Sequence, residues 1–395
     1  MKRAFSALTL IAVLLACAAC VRPSNTKNYG DPVDFDGPPH EVSVMLVNVG
    51  KADCAVVSVD GHFWLIDTGT DESFPNVFAA LELMGCSAID GVIVTHGHSD
   101  HIGGLYALSQ KYAVPKVVSP ELLLGGADVD TAALELGISS VKVRAGERID
   151  IVDGVGFDVL APTERNAEDE NDNSLVVRFA VNGRRFLFTG DMQFAEDESL
   201  MASGADVSCD VLKVPNHGNP DATGEAFAKA AAPAIAVIST DTAEDRNSAN
   251  STVRAKLRGA EIILTQDHDI GVLVTVSDRG VISVSSPERP KTTAGVTLSE
   301  VSKETQSFRV NNTTGGNIDL SGFTVWSTKG KEVFVFPNGT FIPAGGSLLV
   351  TCKKSGLAVN ADLVWNEKKA WSADKADLAV LCDRYGNEIM RTESR

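Results

Sequence analysis

The clearest chemical signal in the chain is the run Thr95-His96-Gly97-His98-Ser99-Asp100-His101, placed after the apolar residues 92–94. Side chains two apart in an extended backbone project to the same side, so His96 and His98 can present their imidazoles to one metal ion. Asp100 and His101 follow as the chain turns into Ile102-Gly103-Gly104-Leu105, where they can face a second ion. Two further stretches repeat the pattern of an apolar strand ending in a ligand. Phe188-Thr189-Gly190-Asp191 delivers a carboxylate whose two oxygens can bridge two ions, and Val211-Leu212-Lys213-Val214-Pro215-Asn216-His217-Gly218 delivers a histidine in a turn. A lone histidine is ordinarily a solvated surface group; it is the recurrence of ligands at strand ends that argues for a metal centre. The donor set suits zinc, with manganese or iron also accepted. Two divalent ions held this way activate a water for hydrolysis, with Asp100 and Asp191 as the catalytic carboxylates, and no nucleophilic Ser or Cys triad is needed. His40 and His62 read as surface residues and His268 as a turn residue.

Ligands at strand ends require strands. Short apolar segments at 42–49, 55–59 and 63–66 alternate with turns, the third ending at Asp67-Thr68-Gly69, and a helical pattern runs through Val77, Leu81 and Met84. Helices are expected around 105–111 and 131–136. Strands are expected at 116–118, 141–144, 157–160, 175–181, 185–189, 234–239, 261–265, 272–276 and 281–285, a layered α/β arrangement. Ser286-Pro287-Glu288-Arg289-Pro290-Lys291 is a polar, Pro-containing break. Beyond it, alternating segments at 296–301, 307–311, 319–327, 332–336, 347–353 and 378–383 between Gly, Asn and Pro turns suit a small β-sandwich. The two units, 40–287 and 295–395, are expected to fold as separate cores.

With 395 residues, 44% hydrophobic and 22% charged, the chain has the length for two such units and the composition of a globular protein, which excludes disorder and coiled coil. The net charge of −17 is unevenly placed: residues 31–291 carry 19 basic and 41 acidic residues, whereas 292–395 carry 12 and 11. An acidic body argues against a broad electrostatic grip on nucleic acid.

The ordered motifs resemble the metallo-β-lactamase fold superfamily, and within it the hydrolase domain found in the bacterial DNA-uptake channel protein ComEC and in secreted relatives. The resemblance spans about residues 41–286. It rests on Val47-Asn48-Val49-Gly50-Lys51-Ala52-Asp53-Cys54, Leu65-Ile66-Asp67-Thr68-Gly69, the HxHxDH segment, Asn173-Ser174-Leu175-Val176, Phe188-Thr189-Gly190-Asp191 and Leu212-Lys213-Val214-Pro215. It implies a four-layered αββα sandwich with the metals at the edge between the sheets. It also implies His96 and His98 in one site, Asp100, His101 and His217 in the other, and Asp191 bridging them. The chain departs from the family at Lys51-Ala52, usually Gln-Gly, and at Asn216-His217-Gly218-Asn219, where two histidines usually precede Gly-Ser. The implied substrate is a phosphodiester, either DNA or a smaller one; β-lactam or other amide and ester hydrolysis, or a binding protein that keeps the metal fold without catalysis, are the alternatives.

The C-terminal unit resembles the bacterial lamin-tail domain through Ile318-Asp319-Leu320-Ser321-Gly322-Phe323-Thr324-Val325 and Phe336-Pro337-Asn338-Gly339-Thr340-Phe341-Ile342-Pro343-Ala344-Gly345-Gly346. This implies an all-β immunoglobulin-like sandwich that binds a surface partner. At the other end, Lys2-Arg3, an apolar run and Leu14-Leu15-Ala16-Cys17 read as a lipoprotein signal over residues 1–20, with Cys17 or Cys20 lipidated, export to the cell surface and a membrane anchor. Residues 21–39 read as a flexible spacer. Cys352 and Cys382 are expected either to pair or to stay as two buried thiols.

Overall fold

The computed structural model describes residues 24–123, 126–292, 295–372 and 376–394. The signal segment and both Cys17 and Cys20 lie outside the described residues, and no described helix is long and apolar enough to cross a membrane.

Two sheets form the N-terminal unit. The first has nine strands in the order Ser24–Tyr29, Ile282–Ser286, Gly271–Val276, Val42–Val47, Ala55–Val59, His62–Ile66, Gly91–Ile93, Lys116–Pro120 and Ser139–Val143. The second has seven, ordered Glu261–Leu264, Ile235–Ile238, Val211–Lys213, Arg184–Phe188, Val176–Val181, Val155–Ala161 and Arg148–Val152. Alternate side chains of the two sheets meet in one apolar layer, with Val44, Val57, Trp64 and Ile66 facing Phe157, Phe179, Phe186 and Val237. The opposite faces are also apolar and are covered by helices: Phe74–Leu83, Leu105–Lys111 and Gly126–Leu136 over the first sheet, and Phe194–Ser203, Glu225–Ala231 and Ser251–Lys256 over the second. This is the αββα sandwich. The last three helices and the strand Arg148–Val152 are absent from the pattern reading. Phe194–Ser203, for instance, has five acidic or hydroxyl residues among its ten and buries only a few of its side chains, so its periodicity is weak.

The spacer expectation is corrected. Residues 24–29 pair antiparallel with Ile282–Ser286 and extend the larger sheet, and the segment that follows is tied down by Val33 N donating to Arg279 O at 3.0 Å and by Arg184 Nη2 donating to Asp31 O at 2.6 Å. A Pro-, Asn- and Gly-rich composition marks a segment without its own core, yet an open sheet edge supplies the hydrogen bonds that such a segment lacks.

The C-terminal unit is a β-sandwich. One sheet is ordered Val296–Ser302, Ser307–Asn312, Ser347–Cys352, Leu363–Trp365 and the other Val333–Val335, Thr324–Ser327, Leu378–Cys382, Glu388–Glu393, with a short pair between Ile318–Asp319 and Phe341–Ile342. Phe308, Phe334, Phe336, Trp365 and Trp371 fill its interior. Cys352 and Cys382 are both buried free thiols. Each unit keeps a core of its own, but the two also share an apolar interface, because Trp326, Val333 and Val335 pack into the helix-side core of the N-terminal unit and the Trp326 ring meets Phe74 edge-on at 5.6 Å. Arg289, in the polar break, donates to Asn76 Oδ1 at 2.6 Å on one side and Tyr385 O at 2.8 Å on the other. Polar sequence at the joint conceals an apolar interface contributed by residues far from it.

Candidate metal centre

Every predicted ligand emerges at the end of a strand, on one edge where the two sheets approach. From the first sheet, Gly91–Ile93 leads through Thr95 into His96, His98, Asp100 and His101, with His98 the N-cap of the one-turn helix Ser99–Ile102 that carries the last two. From the second, Arg184–Phe188 leads to Asp191 and Val211–Lys213 to His217. The turns are sharp. Gly190 has φ +50°, and a Cβ there would lie 2.9 Å from both the Ser174 and Thr95 side chains, so only glycine lets Asp191 swing inward. Asn216 and His217 are held at φ +43° and +52°, a costly conformation for side-chain-bearing residues that the flanking strands impose.

Four predicted ligands converge. One ligand atom each from Asp100, His101, Asp191 and His217 lies within 4.8 Å of all the others. Asp191 Oδ2 stands 3.3 Å from His101 Nε2 and 3.1 Å from His217 Nε2, while His217 Nε2 is 3.7 Å from Asp100 Oδ2. His96 and His98 form a pair beside this group: Nε2 of the first faces Nδ1 of the second at 3.0 Å, and the His96 and His101 rings are 4.0 Å apart. His96 is fully buried and His98 exposed, so the pair runs from the interior to the rim. His40, His62 and His268 instead bond Asp60, Asp90 and Ser286, away from the centre.

The outer partners fix which nitrogen points inward. His217 Nδ1 donates to Ser239 O at 2.8 Å, and His101 Nδ1 lies 2.8 Å from Asp67 Oδ2, which leaves both Nε2 atoms for a ligand. Both Nε2 atoms and Asp191 Oδ1 are buried with no hydrogen-bond partner. Buried polar atoms are rarely left so, and imidazole nitrogens converging on carboxylate oxygens are the donor set of a divalent transition metal, so the residues fit one.

Charge is concentrated here. Burial opposes the charged form of His101, but Asp191 and Asp67 outweigh it and hold its pKa well above the ordinary value. His217 is likewise held up at about 9 against burial by Asp191 and Asp53. Burial pushes Asp191 up, yet His217 and His101 hold it well below the carboxylate range, and Asp100 is lowered against burial chiefly by His217 and His101.

The fold brings in four further residues, Asp53, Asp67, Lys213 and Lys51, whose roles no spacing along the chain marks. Asp67 accepts from Thr95 N and Thr95 Oγ1, both at 2.8 Å, besides holding His101. Beneath the centre the fully buried Lys213 pairs with Asp53 and donates to Gly190 O at 2.8 Å, the carbonyl just before Asp191. A lysine between Leu212 and Val214 in an apolar strand is a legible sign of a buried partner. Lys51 Nζ, at the family's Gln position, donates to Asp100 Oδ2 at 2.9 Å and is half-exposed at the mouth.

Residues 47–242 match the model of the metallo-beta-lactamase superfamily, and residues 289–394 that of the Lamin Tail Domain. Among curated proteins, the chain is similar to the ComE operon protein 3 of Bacillus subtilis, 28% identical over 220 residues, covering 50% of this chain and 28% of that protein. It is also similar to the competence protein ComA of Neisseria gonorrhoeae, 27% identical over 245 residues, covering 62% and 33%. The chain thus spans about a third or less of the length of these relatives. The crystal structure of the metallo-beta-lactamase fold protein YhfI from Bacillus subtilis aligns with 11% identity and a TM-score of 0.43 over 60% of this chain and 99% of that one.

Proposed function

The chain carries a metallo-beta-lactamase superfamily domain followed by a lamin tail domain, and on that premise we propose that it is an exported metal-dependent hydrolase of phosphodiesters. The observation that carries the reading is the convergence of Asp100, His101, Asp191 and His217 with their inward nitrogens unpaired. Together with His96 and His98 these residues would hold two divalent ions, zinc being the best match to the donors. Such ions supply Lewis acidity toward the attacked group and a lowered pKa for a bound water.

The chain's own residues do the rest. Asp191 and Asp100, which the charged histidines hold ionised in the metal-free chain and the ions would hold so when bound, are the acceptors that orient a water and take its proton. The Lys213 and Asp53 pair stiffens the turn that presents Asp191. Lys51 sets an ammonium at the mouth, where it favours an anionic ester over a neutral amide. The similarity to competence proteins supports the same substrate class. Export and a lipid anchor rest on Lys2-Arg3, the apolar run and Leu14-Leu15-Ala16-Cys17 alone, and membrane fractionation checks them.

The test is metal analysis of the purified chain followed by a screen on chromogenic phosphodiesters, lactams and thioesters. Phosphodiester turnover that vanishes together with metal in Asp191→Asn, while the melting temperature stays near wild type, is the expected result. Turnover confined to lactams or thioesters would move the substrate class, and metal occupancy without turnover on any panel would make the chain a binding protein.

A further inference from the structure

Six of the eight lysines of residues 292–395 fall in three short loops of the sandwich: Lys329 and Lys331, Lys353 and Lys354, Lys368 and Lys369. All six are exposed, and among the described residues none lies within 4.0 Å of a carboxylate oxygen. Strand pairing sets two of the loops side by side. Ser347–Cys352 runs parallel to Leu363–Trp365 with Cys352 opposite Trp365, so 353–354 and 366–369 leave the sheet at the same end. Lys353 N donates to the carbonyls of Trp365 and Glu367 at 3.0 and 3.1 Å, and Lys353 Nζ to Asn366 Oδ1 at 3.2 Å. The third loop meets them across the domain boundary: Lys331 Nζ sits 5.5 Å over the Tyr106 ring, and the Tyr106 hydroxyl donates to Glu367 Oε1 at 2.7 Å.

Tyr106 belongs to the helix that follows the metal loop. A groove of about 420 Å³ is lined by Tyr106 and Lys331 together with Ser99, Ile102 and Gly103 of that loop, so one of the three lysine loops borders a depression beside the metal loop, and the Tyr106 contacts tie the other two to its edge. Acidic groups are present too. Asp71 and Glu135 line the same groove, Glu332 is half-buried with its carboxyl raised by burial, and Glu367 is occupied by Tyr106.

We propose that this lysine face is a docking track for an extended phosphodiester chain, specifically single-stranded nucleic acid, which it holds beside the metal loop. The proposal rests on the phosphodiesterase reading above. Charge complementarity selects the occupant: a phosphate-bearing chain is repelled by the acidic N-terminal unit, and here it meets six cations of which none is ion-paired among the described residues, although Glu332 and Glu367 lie beside them. Lysines on loops suit sequence-independent contact with phosphates, each acting as a flexible point charge. A membrane surface shares the phosphate chemistry, but Tyr106, on the helix after the metal loop, touches both Lys331 and Glu367 and so sets the lysine face beside that loop, where a chain bound for the metals passes.

The purified chain, metal-chelated so that binding is read without turnover, is titrated with a fluorescein-labelled oligothymidylate at low and at physiological salt. The comparison is with the quadruple variant Lys353→Gln, Lys354→Gln, Lys368→Gln and Lys369→Gln, its fold checked by melting temperature. The expected result is a loss of roughly tenfold or more in affinity and a fall in the log–log salt slope of about 0.7 per lysine removed. Unchanged affinity and slope would overturn the proposal. So would lysine-dependent binding to phosphatidylglycerol vesicles with none to the oligonucleotide, which would make this a membrane face. If the quadruple variant misfolds, Lys354→Glu with Lys369→Glu reads the same slope from two exposed positions. Wild-type turnover of a small phosphodiester without lysine-dependent binding sinks the track alone. Lysine-dependent binding without phosphodiester turnover under metal loading sinks the reaction and leaves the track as a binding face.

Discussion

At the scale of single residues, the centre is a balance between protons and metal. His217 has its pKa raised from 6.5 to about 9 in the fold, so in the metal-free chain its imidazolium stabilises fully below about pH 6.5, and that contribution is lost as pH rises through 9. A metal ligand must be the neutral imidazole, so metal uptake below pH 9 displaces a proton and affinity should climb between pH 6.5 and 9. Calorimetry in two buffers of different ionisation enthalpy reads the released proton directly; pH-independent uptake with no release would count against His217 as a ligand. Lys51 offers a second test. Its ammonium occupies an oxygen of Asp100 that a metal also needs, so Lys51→Gln should tighten metal binding by roughly two- to fivefold, the scale of one partly exposed ion pair. Weaker binding in the variant would show that Lys51 helps to preorganise Asp100 instead.

At the scale of elements, the strands act as fixed rods and the turns at their ends carry the strain. Asp67, Asn216 and His217 all adopt positive φ within the site, which persists only because buried strands on both sides determine the path. The N-terminal strand depends on a different device. Arg184 holds Asp31 O and Gly280 O and pairs with Asp210 Oδ1 at 2.9 Å, stitching the added edge to the second sheet. Arg184→Met keeps the stem but leaves the carbonyls and Asp210 without their donor. A loss of about 2–4 kcal/mol, read by chemical denaturation, is expected, with protease cleavage of 24–35 rising first. Equal stability would mean that the segment is only resting on the sheet.

At the scale of the whole molecule, the two units share apolar surface. Phe74 and Val77 are buried in a core completed by Trp326 and Val333 of the sandwich. Trp326→Ala should therefore cost about 2–4 kcal/mol and lower the melting of the metal-binding unit as well as of the sandwich, which scanning calorimetry resolves. If only the sandwich transition moves, the units are thermodynamically separate after all.

The candidate ligands and both fold classes were legible in the sequence because each is a local pattern. HxHxDH after an apolar run, Gly-Asp after another, and alternation with Gly and Pro turns are all set by neighbours in the chain. The N-terminal strand, the helix Phe194–Ser203 and the shared domain interface were not, since an edge strand borrows its hydrogen bonds from a partner more than two hundred residues away and a weakly periodic helix is held by packing alone. The same holds within the site. Sequence alone marked His101, Asp191 and His217 as ligands, whereas only the approach of the two sheets placed Asp67 against His101, Lys213 beneath Asp191 and Lys51 on Asp100. Those contacts depend on distances between strand ends, and no spacing along a single strand encodes them.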